Sequence, residues 1–173
     1  MSPDHFDLRR CIGALSTSFS SRLGAGASQE YHRRFDIGVV EWRVLCHLAV
    51  DPWSNVIAMA NSIGLDKSSV SRSLAGMEQR GLVEMRDGLR RRREAALTEE
   101  GMALHRAVLP VARARERALL SDFSPEEVEQ LLGFFHRLID NLPRVEEDAL
   151  IRDTADQAPS SEASAAARSK RSS

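Results

Sequence analysis

The sequence predicts a mostly α-helical chain carrying one small antiparallel β wing, and three observations predict it. Long apolar stripes at helical spacing run along both ends, through Leu8, Ile12, Leu15, Phe19 and Leu23, and again from Val128 to Leu142. Between them, Asp66 to Gly81 reads as a capped helix. Asp66 can accept from the free N–H groups of its first turn, and Gly81 can close its last turn in the left-handed conformation. After Gly81 the period turns strand-like: Leu82 to Arg86 runs out and Arg93 to Leu97 runs back, with Asp87-Gly88 helping the chain turn. Four arginines, Arg90 to Arg93, stand at the tip of that hairpin or at the start of its return. A polar helix followed at once by an arginine-tipped hairpin is the layout of a winged helix-turn-helix.

In order, the first helix is expected from about His5, with Gly24-Ala-Gly26 interrupting or loosening it. No strand precedes these glycines and no lysine signature follows, so they are not a phosphate loop. A second helix carries Trp42, Leu45, Leu48 and Ala49 and should stop near Asp51-Pro52, because proline disfavours helix at the residue before it. Ser54 or Asn55 can cap a short third helix through Met59-Ala60 that Gly64 closes. In the helix after Asp66, Val70, Leu74 and Met77 point one way. Ser68, Ser71, Arg72, Ala75 and Gln79 form the opposite face, which carries no acid and can approach base edges and phosphates. Thr98 should cap the next helix, whose inner face follows Leu104, Val108, Val111 and Arg115 and which Pro110 should bend. Ser124-Pro-Glu-Glu127 is a capping box that starts the last helix. From about Asp153 the chain turns Ala/Ser-rich and loses its period, as a disordered tail does.

The 173 residues suit one domain with extended arms, and a 42% hydrophobic content is enough for a core. The net charge of −1 gives no global basic signature, so a polyanion partner must be met by local charge. Two cysteines make no disulfide framework, which points to a reducing cytoplasm. No signal peptide and no run long enough for a bilayer is expected. His5, His32, His47, His105 and His136 have no metal-ligand spacing, and no nucleophile–base set or cofactor fingerprint stands out. The expectation is no enzyme, no metal and no cofactor.

Four blocks, Glu41-Trp-Arg-Val-Leu45, Asp66-Lys-Ser-Ser-Val-Ser-Arg72, Met77-Glu-Gln-Arg-Gly-Leu-Val83 and Leu97-Thr-Glu-Glu-Gly101, occur in this order. Through them, and over roughly residues 5 to 145, the chain resembles the MarR-type (multiple antibiotic resistance regulator) transcription factors. It departs from that pattern at Leu89, where the family's wing carries an aspartate before two arginines. The resemblance implies a homodimer joined through its terminal helices. It also implies an effector site for small aromatic or phenolic acids, bordered here by Trp42, Arg43 and Cys46. The three apolar stripes support the dimer independently, since they exceed what one small winged domain can cover.

The expected organisation is a dimerisation helix in 1–35, a winged helix-turn-helix in 36–101, dimerisation helices in 102–150 and a disordered tail in 151–173. The function expected is a dimeric repressor on double-stranded, inverted-repeat DNA. Ser68, Ser69, Ser71 and Arg72 are expected in the major groove, Lys67 on phosphate, and Arg90 and Arg91 on the wing. Two other readings compete: a redox-sensing repressor switched at Cys11, and a helical protein-interaction adaptor without DNA. Cys11 lies beside the apolar stripe with Tyr31 distant in sequence, so a structural thiol is expected there.

Overall fold

The computed structural model describes residues 6–88 and 92–147, so Arg90, Arg91 and the Ala/Ser-rich tail lie outside the described residues. The chain divides into two compact units, Met1–Arg117 and Ala118–Ser173. The first helix, α1, spans Ile12–Phe35. It starts later than expected, because a 3-10 turn at Leu8–Arg10 precedes it and Cys11 between them is extended, with φ −91° and ψ 118°. Nor do Gly24 and Gly26 interrupt it. Each glycine costs a helix about 1 kcal/mol against alanine, but Ala27 and Tyr31 beyond them are buried and hold the helix to the core.

Helix α2, Val39–Val50, ends where Asp51-Pro52 stops it. Strand β1, Ser54–Asn55, was not foreseen, because two residues carry no readable period. Asn55 also caps α3, Val56–Ile63, accepting from the Ile57 and Ala58 N–H groups at 3.0 and 3.1 Å. Gly64 ends α3 at φ +65°. Helix α4 follows at Lys67–Gln79, then β2 at Val83–Asp87 and β3 at Arg93–Leu97. The strands form an antiparallel sheet in the order β1-β3-β2, with Val83 opposite Leu97 and Asp87 opposite Arg93. The core lies between α2, α3, α4 and the sheet, where Val44, Leu45, Met59, Val70 and Met77 are completely buried.

Helix α5, Glu99–Leu119, runs through Pro110 without a break. In the second unit α6 spans Pro125–Glu147, opened by the expected capping box: Ser124 N–H donates to Glu127 Oε2 at 2.8 Å and Glu127 N–H to Ser124 Oγ at 3.2 Å.

The joint between the hairpin and α5 is made by Thr98. Its hydroxyl donates to the Gly81 carbonyl at 2.7 Å and accepts from the Gly101 N–H at 3.0 Å. Gly101 is buried against this joint, and a Cβ there would overlap the Leu82 carbonyl oxygen. Gly101→Ala should therefore destabilise the fold although alanine is the better helix former. The overlap costs about 1–3 kcal/mol against a propensity gain of about 1 kcal/mol. Thermal unfolding checks this, and an unfolding temperature several degrees below wild type is the expected outcome.

Candidate nucleic-acid interface

Helix α4 is held at both ends by local chemistry. At its start the Asp66 carboxylate accepts from Ser69 N–H at 2.8 Å and from Ser69 Oγ at 2.7 Å. These bonds hold the Asp66 carboxyl below its ordinary range, the Ser69 hydroxyl contributing most. At its end Gly81 takes φ +70°. Gly81 N–H then bonds the Glu78 carbonyl at 3.0 Å and Leu82 N–H the Met77 carbonyl at 2.9 Å, which satisfies the last turn.

Two ion pairs fix the same end to its neighbours. Arg80 Nη1 reaches Glu41 Oε1 on α2 at 3.1 Å, while Glu41 Oε2 accepts from the Gly38 N–H at 2.8 Å. Arg93 Nη2 on β3 reaches Glu78 Oε1 at 3.1 Å. The pairing of Glu41 with Arg80, and of Glu78 with Arg93, was not foreseen from the sequence. Their spacing carries no signal, since the partners lie 15 and 39 residues apart.

With Val70, Leu74 and Met77 buried, the face opposite them is open. Ser68, Ser71, Arg72, Ala75 and Gln79 are all exposed on it, and Lys67 is exposed in the first turn, off that face. Ser69 is half-buried, and its hydroxyl is engaged by Asp66 and by Arg72 Nη2 at 3.3 Å. It donates to the capping Asp66 carboxylate and accepts from Arg72, which it steadies. Arg90 and Arg91 lie between the described ends of the hairpin, which are tied by Gly88 N–H to the Arg92 carbonyl at 2.8 Å.

The expected effector residues do not meet in one place. Trp42 and Arg43 line a cavity of ≈350 Å³ between α1, α2 and α5, with Phe19, Leu23, Tyr31, Arg115 and Glu116. Cys46 lines another, of ≈580 Å³, with Arg43, His47, Ser62 and Ile63. Four residues carry Cys46 about 6 Å further along the α2 axis, where α3 forms the wall. Burial also pushes the Cys46 thiol up to about 11, so it is a neutral thiol at physiological pH.

The smaller cavity is walled by aromatic rings. Trp42 lies 5.8 Å from Tyr31 and is stacked on His105 at 5.4 Å. His105 has a buried Nδ1 with no hydrogen-bond partner, and burial holds its pKa down, with Arg106 and Arg113 adding to the effect. Arg115 Nη2 donates to the Leu23 carbonyl at 3.3 Å beside the cavity. An arginine on the inner face of a helix was the signal available in the sequence for this part of the site.

Among the described residues no three His, Cys, Asp or Glu side chains gather as metal ligands, and no helix is long and apolar enough to cross a membrane.

No family model matches the chain. It is 33% identical over 95 residues to the HTH-type transcriptional regulator PetP of Rhodobacter capsulatus, an alignment covering 54% of the chain and 57% of PetP. The chain thus spans little more than half the length of that relative. A MarR/EmrR family transcriptional regulator from Acinetobacter sp. ADP1 superposes with a TM-score of 0.76 at 27% identity, over 80% of this chain and 99% of that one. MepR of S. aureus, solved as a DNA complex, superposes with a TM-score of 0.67 at 23% identity, over 76% of this chain and 98% of its own, a likeness of fold.

The cap at Asp66 predicts a pH dependence for α4. A carboxyl whose folded pKa is depressed adds stability above its unfolded value, about 3.9, and loses it as pH falls through the lower folded value. Asp66→Ala should lower the unfolding temperature at pH 7, and its deficit against wild type should narrow below about pH 4. Paired melts from pH 7 to pH 3 measure this, and a deficit constant across that range contradicts the cap.

Proposed function

We propose that this chain, which has the winged helix-turn-helix fold of MarR-family transcriptional regulators, binds double-stranded DNA as a homodimer and represses transcription until a small aromatic ligand releases it. The observation that carries the DNA reading is the exposed face of α4, held at both ends and bearing Ser68, Ser71 and Arg72, with the helix's one acid, Glu78, at its edge and paired with Arg93. Short hydroxyls let the backbone come near the groove floor, and Arg72 offers the fork that suits guanine O6 and N7. Lys67 at the start of the helix serves phosphate, and Arg90 and Arg91 serve a phosphate or a narrow minor groove.

Apolar exposure supports the dimer. In the first unit α1 leaves Ile12, Leu15 and Phe19 about half exposed, and in the second α6 does the same with Leu132, Phe135, Leu138, Ile139 and Leu142. Stripes of this kind on a water-soluble chain call for a partner surface, and a second copy supplies the matching one. Two-fold symmetry then implies an inverted repeat with half-sites roughly 10 base pairs apart. The ≈350 Å³ cavity supports the ligand. Trp42 and Tyr31 give it aromatic walls, Arg43 and Arg115 suit a carboxylate, and Glu116 can accept from a phenol. A cytoplasmic setting follows from this reading.

The test is a band shift on the DNA directly upstream of the chain's own gene. Arg72→Ala should weaken that operator by about 1–3 kcal/mol, roughly 5- to 150-fold, and scrambled duplex far less. Equal losses on both sequences would overturn the assignment of Arg72 to base reading.

Assembly gives a separate outcome. Sedimentation at micromolar concentration should show a dimer for wild type. Leu138→Asp should shift it toward monomer and weaken operator binding with it. A monomeric wild type that still protects a symmetric site is the contrary result.

A further inference from the structure

Trp53 stands in a backbone conformation ordinarily filled by glycine or asparagine. Its φ is +60°, the left-handed region in which the Cβ of an L residue crowds the backbone. A bulky side chain persists there when its surroundings hold it. The indole of Trp53 lies beneath the guanidinium of Arg86, whose Cζ is 4.0 Å from the ring centroid. Arg86 belongs to the outer strand β2. Its Nε and Nη2 both donate to Glu94 Oε2, at 3.0 and 2.9 Å. Glu94, on the central strand β3, is directly opposite both Arg86 and Asn55 of β1. A single guanidinium therefore spans the sheet from β2 across β3 to the turn before β1.

The position of this row gives it leverage. Asn55, Glu94 and Arg86 form the outermost row in which three strands are paired. Beyond it Asp87 and Arg93 pair as a two-stranded ribbon, with Arg93 tied to Glu78 on α4. A lone exposed ion pair would hold the ribbon weakly. Here the guanidinium uses its edge for the carboxylate and its face for the indole, so both its place and its tilt are fixed. Glu94 is also well covered, its side chain 19% exposed.

We propose that Trp53, Arg86 and Glu94 form a strap that sets the angle at which the hairpin leaves the helix-turn-helix, so that Trp53 and Arg86 are positioning residues for the wing's contact with DNA. The proposal rests on the DNA-binding reading above. It assigns Arg86, an exposed arginine that would otherwise be counted among the phosphate contacts, to the inside of the wing's support.

The experiment uses the full-length chain and fluorescence anisotropy on operator and scrambled duplex over a salt series. Trp53→Gly removes the ring while relaxing the left-handed backbone, and Arg86→Lys keeps the charge while losing the planar contacts. Each should weaken both duplexes several-fold and lower the salt slope by roughly 0.9 for every phosphate the wing no longer neutralises. Unfolding temperatures should stay close to wild type, the operator-to-scrambled ratio should be unchanged, and the double variant should be no weaker than either single one. Should Trp53→Gly fail to fold, Trp53→Asn, which also removes the ring and suits the left-handed backbone, takes its place in the same comparison. Two variants that match a DNA-binding wild type overturn the strap alone. So does weakening in Arg86→Lys without weakening in Trp53→Gly, which makes Arg86 itself a phosphate ligand. A wild type with no salt-sensitive binding overturns the DNA-binding reading, and the strap with it.

Discussion

The burial of one face of α4 is the constraint on which the rest of the structure depends. Val70, Leu74 and Met77 are at most 2% exposed, and each such side chain contributes about 1.5–3 kcal/mol when withdrawn from water. That sum fixes the rotation of the helix about its axis. Once it is fixed, Ser68, Ser71 and Arg72 have no option but to face outward. The function proposed for the chain is thus a consequence of its core: the residues that pack choose the residues that read.

Ion pairs around α4 act differently. Arg80 with Glu41 and Arg93 with Glu78 are partly exposed, and pairs of this kind are worth about 0–1 kcal/mol. They add little stability beside the buried face. Their effect is geometric, since they tie the end of α4 to α2 on one side and to β3 on the other. The helix, its neighbour and the hairpin therefore keep a common frame, which a composite DNA surface requires. The Thr98 hydroxyl joins the hairpin to α5 by the same logic, and Gly101 leaves room for it.

What was legible in the sequence was local. The Asp66 cap, the Gly64 and Gly81 terminations, the stop at Asp51 and the Ser124 capping box each depend on neighbouring residues, and the structure has all of them. The winged helix-turn-helix fold followed from their order. What failed needed tertiary knowledge. The stripe from Leu8 to Leu23 runs on through Cys11 although the backbone there is extended, and helix propensity alone overstated the effect of Gly24 and Gly26. Trp42 and Cys46 share a side of α2, yet different helices wall the two positions, and only the fold separates them. Strand β1 exists because β3 lies beside it, not because Ser54 and Asn55 favour it.

The central claim is that α4 reads DNA from the major groove, and guanine methylation interference tests it most directly. Methylation of guanine N7 marks the major groove, and of adenine N3 the minor. The account predicts two clusters of interfering N7 positions on one face of the operator, about one helical turn apart, the spacing of paired reading helices. Binding that is indifferent to N7 methylation throughout the protected site, whether or not adenine N3 methylation interferes, would contradict it.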